Sequence, residues 1–279
     1  MASSAVAYMV TEKNLPLYIE MVTAKFYPRS VLYVNTAILK MKNRVQADII
    51  VDGWPEFNCT VARLPESEED NEILFLLAGS QEKLEHFLIA LNYNGDVLLG
   101  ALDDETNRYL SGMKKTWPFG LEEKVLAIMK GYYFPGKLED IIKWSCPEGT
   151  FVATLKPDTC TVKMLAETWS YGSLESKTKY LKFIIENCGS IGVFLKDDPT
   201  HPVSWAMFSN FGHLMHVYTL SEHRGKGYAK TAVLGIMKEM LEIGMTPVLE
   251  IVKGNAASTK MFAGLGFVEA YSATWKKYL

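Results

Sequence analysis

Apolar residues repeat along this chain with two different periods. Phe151 to Leu155 alternates in period two, Pro157 and Asp158 supply a stop and an N-cap, and Val162, Leu165 and Trp169 follow at helical spacing. A strand followed by a helix is predicted there. A second helix, over about 175–187, carries Tyr180, Phe183, Ile184 and Asn187 and ends near Gly189. Ser190–Leu195, Val203–Phe208 and His213–Thr219 read as short strands of an antiparallel meander, separated by Asp197-Asp198-Pro199 and Asn210-Phe211-Gly212. A helix presenting Val233, Leu234, Met237, Met240 and Leu241 on one face then runs to Gly244. Pro247–Val252 is a continuous apolar run broken by Glu250 and is expected as a central strand, and Ser258–Gly264 as a final short helix.

The first half alternates similarly: a helix near 14–25, strands near 47–52, 58–63 and 73–78, then a helix with Leu84, Phe87 and Leu88. Trp144–Gly149, reading WSCPEG, sets a proline and a glycine between two patterned regions, which predicts domains over 1–145 and 146–279. The expected class is α/β (α+β), with a mixed sheet in the C-terminal domain. The N-terminal α/β domain is open to reading as a degenerate copy of the second, although no sequence repeat shows it.

Composition narrows the functions. The net charge of −3, with acids and bases intermixed, offers no field for nucleic acid or an anionic membrane. No apolar run reaches the roughly 18 residues of a membrane helix. Cys59, Cys146, Cys160 and Cys188 form no CxxC pair, so neither a zinc site nor a disulfide framework is expected. Cys188 reads as a buried small hydrophobe, and Trp54 and Trp205 as structural aromatics.

The chemistry concentrates at Arg224-Gly225-Lys226-Gly227-Tyr228-Ala229. This segment follows a β segment, opens an amphipathic helix, and sets Arg224, Lys226 and Lys230 around backbone N–H groups, a geometry suited to a pyrophosphate. Glycine lets the backbone approach phosphate oxygens that a Cβ would hold off. Glu222 is expected to bridge to His223 and Arg224 and shape the turn.

Arg-x-x-Gly-x-Ala at 224–229 resembles the phosphate-loop motif of the GCN5-related N-acetyltransferase superfamily, and Asn255 through Phe267 resembles that family's closing segment. The resemblance implies a sheet splayed between its fourth and fifth strands, with acyl-CoA as co-substrate in the gap. It also implies that the backbone of Val217, Tyr218 and Thr219 faces the pantetheine arm, and that Asn255, Ser258 and Phe262 lie at the cofactor. No metal is implied. Val51–Phe57 (VDGWPEF), Trp169–Gly172, Pro202–Trp205 and Tyr218–Arg224 resemble stretches of the glycine N-acyltransferase and glycine N-acyltransferase-like family in particular. That narrower resemblance implies transfer of an acyl group to the amine of glycine or another small amino acid.

Such a reaction needs a base. The family carries a glutamate where this chain has His213, and arylalkylamine N-acetyltransferases, another branch, carry a histidine eleven residues before the motif arginine, as His213 stands before Arg224. His213 is the expected base, with a turn-capping role as the competing reading. His216, three residues on, is expected to face the opposite side as a satisfied structural histidine. Many superfamily members use a tyrosine where Phe262 stands, so the proton for the thiolate is left to Tyr218 or a water, or the thiolate leaves unassisted. A backbone N–H near Tyr218 would polarise the carbonyl. The competing functions are a non-catalytic acyl-CoA binder and acylation of a protein amine. A monomer is expected, in mitochondria or cytoplasm, the former by family resemblance alone.

Overall fold

A computed structural model describes residues 6–64, 72–92, 97–113, 122–141, 144–170 and 172–278. The elements of the first half are β1 (Tyr8–Met9), α1 (Leu15–Phe26), α2 (Val31–Met41), β2 (Asp48–Val51), β3 (Cys59–Leu64), β4 (Glu72–Ala78), α3 (Gln81–Leu91), β5 (Val97–Asp103), α4 (Asp104–Gly112) and β6 (Glu123–Tyr133). Then come α5 (Leu138–Ile141), β7 (Thr150–Thr154), α6 (Thr159–Thr168), α7 (Leu174–Asn187), β8 (Gly189–Leu195), β9 (Ser204–Phe208) and β10 (Leu214–Thr219). The chain ends with α8 (Tyr228–Glu242), β11 (Val248–Val252), α9 (Ala256–Ala263) and β12 (Val268–Tyr278).

The chain forms two compact units, one of Met1–Tyr132, Glu250–Asn255 and Glu269–Leu279, the other of Tyr133–Leu249 and Ala256–Val268. These differ from a contiguous division at 145/146, because late segments of the chain join the sheet of the first half. That sheet has eight strands in the order β1-β2-β3-β4-β5-β12-β6-β11. Its core centres on Val61, Leu74, Leu76, Leu84, Phe87 and Leu99, which knit β3, β4 and β5 to α3. β4 and β5 pair in parallel over Glu72–Phe75 and Val97–Gly100. Beyond that, Thr106 Oγ1 accepts from the Ala78 amide at 3.2 Å and donates to Asp103, which Arg29 also reaches at 3.0 Å.

The second unit holds the antiparallel sheet β10-β9-β8-β7, in the meander order the sequence predicts. Asp158 caps α6 by accepting from the Thr161 amide, and Val162 and Leu165 are buried as expected. α7 packs through Leu181, Ile184 and Ile185, whereas Phe183 is 38% exposed and Asn187 also faces outward. α8 is buried over more than one stripe: Ala232 and Ile236 are in the core with Val233, Met237 and Met240, while Leu241 is half-buried. Gly244, at φ 89°, ends its helical run as predicted.

Two strand expectations change. β11 is an end strand of its sheet rather than a central one. Its apolar run follows from burial of Val248, Leu249 and Ile251. β12 has no counterpart in the sequence reading because buried polar residues break its alternation. Lys276 is 4% exposed and is paired with Glu123 Oε1 at 2.8 Å.

Glu250, also of the first unit, is half-buried, with its carboxyl turned inward. Its Oε2 accepts from Trp275 Nε1 at 2.6 Å, and its Oε1 has no partner. Burial raises this carboxyl from the usual 4.5 to about 7. The folded state therefore favours the protonated acid. The associated stability is fully present below the unfolded value and is lost as pH rises through about 7. Thermal unfolding followed from pH 4.5 to 8 should show stability falling across this window, by on the order of 3 kcal/mol, and Glu250→Gln should flatten the fall. An equal fall in the variant would assign the dependence to other groups.

Candidate active site

β9 and β10 pair as Leu214 with Phe208 and Met215 with Met207, then as Tyr218 with Trp205 and Thr219 with Ser204. His216 and Val217 thus stand opposite Ala206 alone, which is a β-bulge. His216 takes φ 47°, the left-handed region that is uncommon for a residue other than glycine, although histidine is among those that visit it more often. Its ring contacts are aromatic. Trp205 is wholly buried, stacks on Tyr218 at 5.2 Å and meets the His216 ring edge-on at 5.9 Å, and the Trp169 ring lies 4.7 Å from that of His216 at a tilt. Ser204 Oγ donates to the Tyr218 carbonyl at 2.8 Å and shares a hydrogen bond of 2.7 Å with Thr219 Oγ1, fixing the strand after the bulge. β10 is the end strand of its sheet, so its second edge has no strand partner there.

The phosphate loop follows directly. Arg224 turns back on β10: its Nε donates to the Thr219 carbonyl at 3.1 Å, and its guanidinium lies 5.5 Å over the Tyr218 ring with Nη2 3.4 Å from the hydroxyl. The expected Glu222–Arg224 bridge is replaced by these contacts. Glu222 instead accepts from Ser221 Oγ at 2.8 Å and lies 4.0 Å from His223. Gly225 and Gly227 have φ of 78° and 82°. α3, α4, α6 and α7 each begin on a side chain that accepts from the first-turn amides, namely Ser80, Asp103, Asp158 and Ser173. α8 begins on Gly227, which has no side chain to offer. Its first-turn amides therefore point outward beside exposed Lys226 and Lys230, with the positive end of the helix dipole behind them. Tyr228 and Ala229 are half-buried and anchor that first turn.

The remaining sequence candidates fall as follows. His213 sits in the turn entering β10, where its amide donates to Ser209 Oγ at 3.1 Å and its carbonyl accepts from the Ser209 amide at 2.8 Å. Its ring packs on Phe211 at 5.4 Å, and burial pushes it down to about 3. This is a turn-closing arrangement. His216 is not a satisfied structural histidine: Nε2 meets Thr168 Oγ1 at 3.2 Å, but Nδ1 is buried without a partner. The bulge also breaks the simple alternation on which its expected orientation rested. Phe262 is buried against Phe267 at 5.2 Å, in a packing role, and Ser258 is half-buried on α9. Asn255 lies just ahead of α9, its amide bonded to the Val252 carbonyl at 3.1 Å, within the first compact unit. Tyr171, part of the Trp169–Gly172 stretch, lies outside the described residues. Trp54 is half-buried and stacked on Tyr8 at 5.6 Å, and Cys188 is buried, both as structural groups.

Sequence reasoning missed a cavity in the second unit. It holds about 450 Å³ and has Lys230, Leu234, Asp140, Trp144 and Leu265 in its wall. Lys230 belongs both to this wall and to the first turn of α8. Among the described residues no cluster of histidine, cysteine and carboxylate is placed to hold a metal, and no helix is long and apolar enough to cross a membrane.

Residues 190–276, spanning β8 through most of β12, match the family model of FR47-like proteins. A Drosophila protein of known structure superposes with a TM-score of 0.75 over 99% of both chains at 13% identity. A tandem GNAT protein from the clavulanic acid biosynthesis pathway gives 0.54 over 97% of both chains, also at 13% identity. The fold is that of a tandem GCN5-related N-acetyltransferase. A GCN5-related N-acetyltransferase from Kribbella flavida agrees, with a TM-score of 0.52 over 88% of this chain and 95% of its own, at 12% identity. α3 of the first half starts on the capping Ser80, whereas α8 starts on a glycine.

A Cβ built on Gly225 or Gly227 would meet no atom within 4 Å, so a side chain there is resisted by the backbone angle rather than by a clash. Gly227→Val should cost on the order of 1–3 kcal/mol of stability and should also obstruct the approach of an anion to the α8 amides. Thermal unfolding together with calorimetric titration of CoA checks both parts. Unchanged CoA affinity would show that these amides are not the anion site.

Proposed function

We propose that this protein is an acyl-CoA-dependent N-acyltransferase that transfers the acyl group to the amine of glycine or another small amino acid. The observation that carries the reading is the uncapped start of α8, which follows a bulged end strand through a loop bearing Arg224, Lys226 and Lys230. A pyrophosphate is the natural occupant of those outward amides. The pantetheine arm then runs along the backbone of Val217, Tyr218 and Thr219 as an added strand. The cavity beside Lys230 receives the nucleotide end, with Trp144 as a stacking surface.

The residues divide the chemistry in the following way. At a bulge, backbone amides lose their ladder partners, and an amide near Val217 can donate to the thioester carbonyl as negative charge develops on its oxygen. Tyr218, whose hydroxyl is held near Arg224, supplies a proton to the departing thiolate. The base belongs to the β10 segment, where His213 and His216 both lie. The preference for glycine or a similar amino acid rests on the resemblance of Val51–Phe57, Pro202–Trp205 and Tyr218–Arg224 to the glycine N-acyltransferases. By the same resemblance, the compartment is mitochondrial or cytoplasmic.

A thiol-release assay with a panel of acyl-CoAs against glycine, glutamine and other amino acids tests this. CoA release should depend on the amine and exceed the hydrolysis background. Arg224→Ala should weaken acyl-CoA binding by about 10-fold. CoA binding without amine-dependent release across the panel would instead identify a non-catalytic acyl-CoA binder. Release with peptide amines but not with free amino acids would redirect the reading to protein acylation.

A further inference from the structure

The histidine at the bulge has a defined tautomer. Thr168, the last residue of α6, donates its hydroxyl proton to the Leu165 carbonyl at 2.8 Å. Its oxygen can therefore only accept in the contact of 3.2 Å with His216 Nε2. With the hydroxyl proton so placed, the ring proton falls on Nε2 and the lone pair on Nδ1. That nitrogen is buried and meets no hydrogen-bond donor among the described residues. An orphaned polar atom of this kind costs about 1–3 kcal/mol, and here it coincides with a left-handed backbone at a β-bulge.

The imidazole also belongs to a continuous file of side chains. Trp169, His216, Trp205, Tyr218 and Arg224 follow one another at 4.7, 5.9, 5.2 and 5.5 Å. The file leads from the end of α6 to the phosphate loop. His216 and Tyr218, two residues apart after the bulge, both meet Trp205.

We propose that His216 Nδ1 is the proton acceptor for the incoming amine, with Thr168 as its positioning residue. This rests on the acyl-transfer reading above. An ammonium proton passes to Nδ1 and on to solvent. The freed amine nitrogen forms a bond to the thioester carbon, the C–S bond breaks, and its electron pair leaves on sulfur. The remaining surplus proton of the nitrogen balances the one taken up by the CoA thiolate, so the products are the amide and free CoA with one proton released. The Trp169 and Trp205 rings lie beside the imidazole, at 4.7 and 5.9 Å. Burial keeps His216 neutral at physiological pH, near 3, so the lone pair is available. His213 Nε2 is likewise buried without a partner among the described residues, but His213 lies outside the bulge and outside the file that leads to Arg224: its main chain closes the Ser209 turn and its ring packs on Phe211.

Two measurements on the full chain test the assignment. Histidine-labelled 15N NMR at neutral pH should find His216 uncharged with its proton on Nε2. This state should persist in Thr168→Ser and be lost in Thr168→Val. In the thiol-release assay, His216→Asn should lower kcat by about 10²- to 10⁴-fold while calorimetric CoA affinity stays within about 3-fold of the unmodified protein. Thr168→Val should lose about 10-fold and Thr168→Ser little. The assignment is overturned by an Nδ1–H tautomer, by unchanged turnover in His216→Asn, by a larger loss in His213→Asn, or by a fall in CoA affinity that matches the fall in turnover. If the unmodified protein binds CoA but releases no thiol with any amine, the acyl-transfer reading fails and takes this role with it. The NMR result would then still report the tautomer.

Discussion

The pairing of Trp205 with Tyr218 across β9 and β10 sets the geometry on which the candidate site depends. Trp205 is wholly buried, so its place in the core is not negotiable. The stacked Tyr218 ring then fixes the register of the last residues of β10, and the extra residue upstream must be absorbed as the bulge at His216 and Val217. From Tyr218 the constraint passes to Arg224, whose guanidinium lies over the ring and whose Nε holds the Thr219 carbonyl. Where the loop begins, and how α8 starts, thus follow from a side chain two strands deep in the sheet.

Electrostatics in this region is local. The chain as a whole is slightly acidic, and its overall field would not attract an anion. What favours one is the conjunction of an uncapped helix start, two glycines in the left-handed region and nearby cations. Arg224 is committed to Tyr218 and Thr219, so the cations left facing outward at the loop are Lys226 and Lys230. The arginine of this motif therefore does as much to shape the loop as to supply charge.

The first unit shows the same architecture turned to a different end. Its parallel β4–β5 pair stops at Phe75 and Gly100, and the strands beyond are tied by Thr106, Asp103 and Arg29. Its helix α3 opens on Ser80, which accepts from the Lys83 amide. Acids and phenols turned inward, such as Glu250 and Tyr271, make its interior polar, and their partial satisfaction ties stability to pH.

The amino-acid sequence by itself determined the meander β8–β9–β10, the helices α1, α3, α6 and α8, and the loop at 224–229. These are features in which hydrophobic period, caps and glycine positions act over a few residues. α2 was not legible because it is buried on several sides, Asn35 and Thr36 included, and has no polar stripe to mark its period. β12 was hidden by Lys276, whose burial makes sense only once Glu123, far away in the chain, is beside it. The histidines show the same division. Spacing from Arg224 drew attention to His213, but the tautomer and orphaned nitrogen of His216 depend on a bulge and on contacts with Thr168, Trp169 and Trp205, which come from the end of α6 and from β9. Local chemistry marked the candidate phosphate loop, and tertiary packing placed His216 at a bulge in the file of side chains that leads to it.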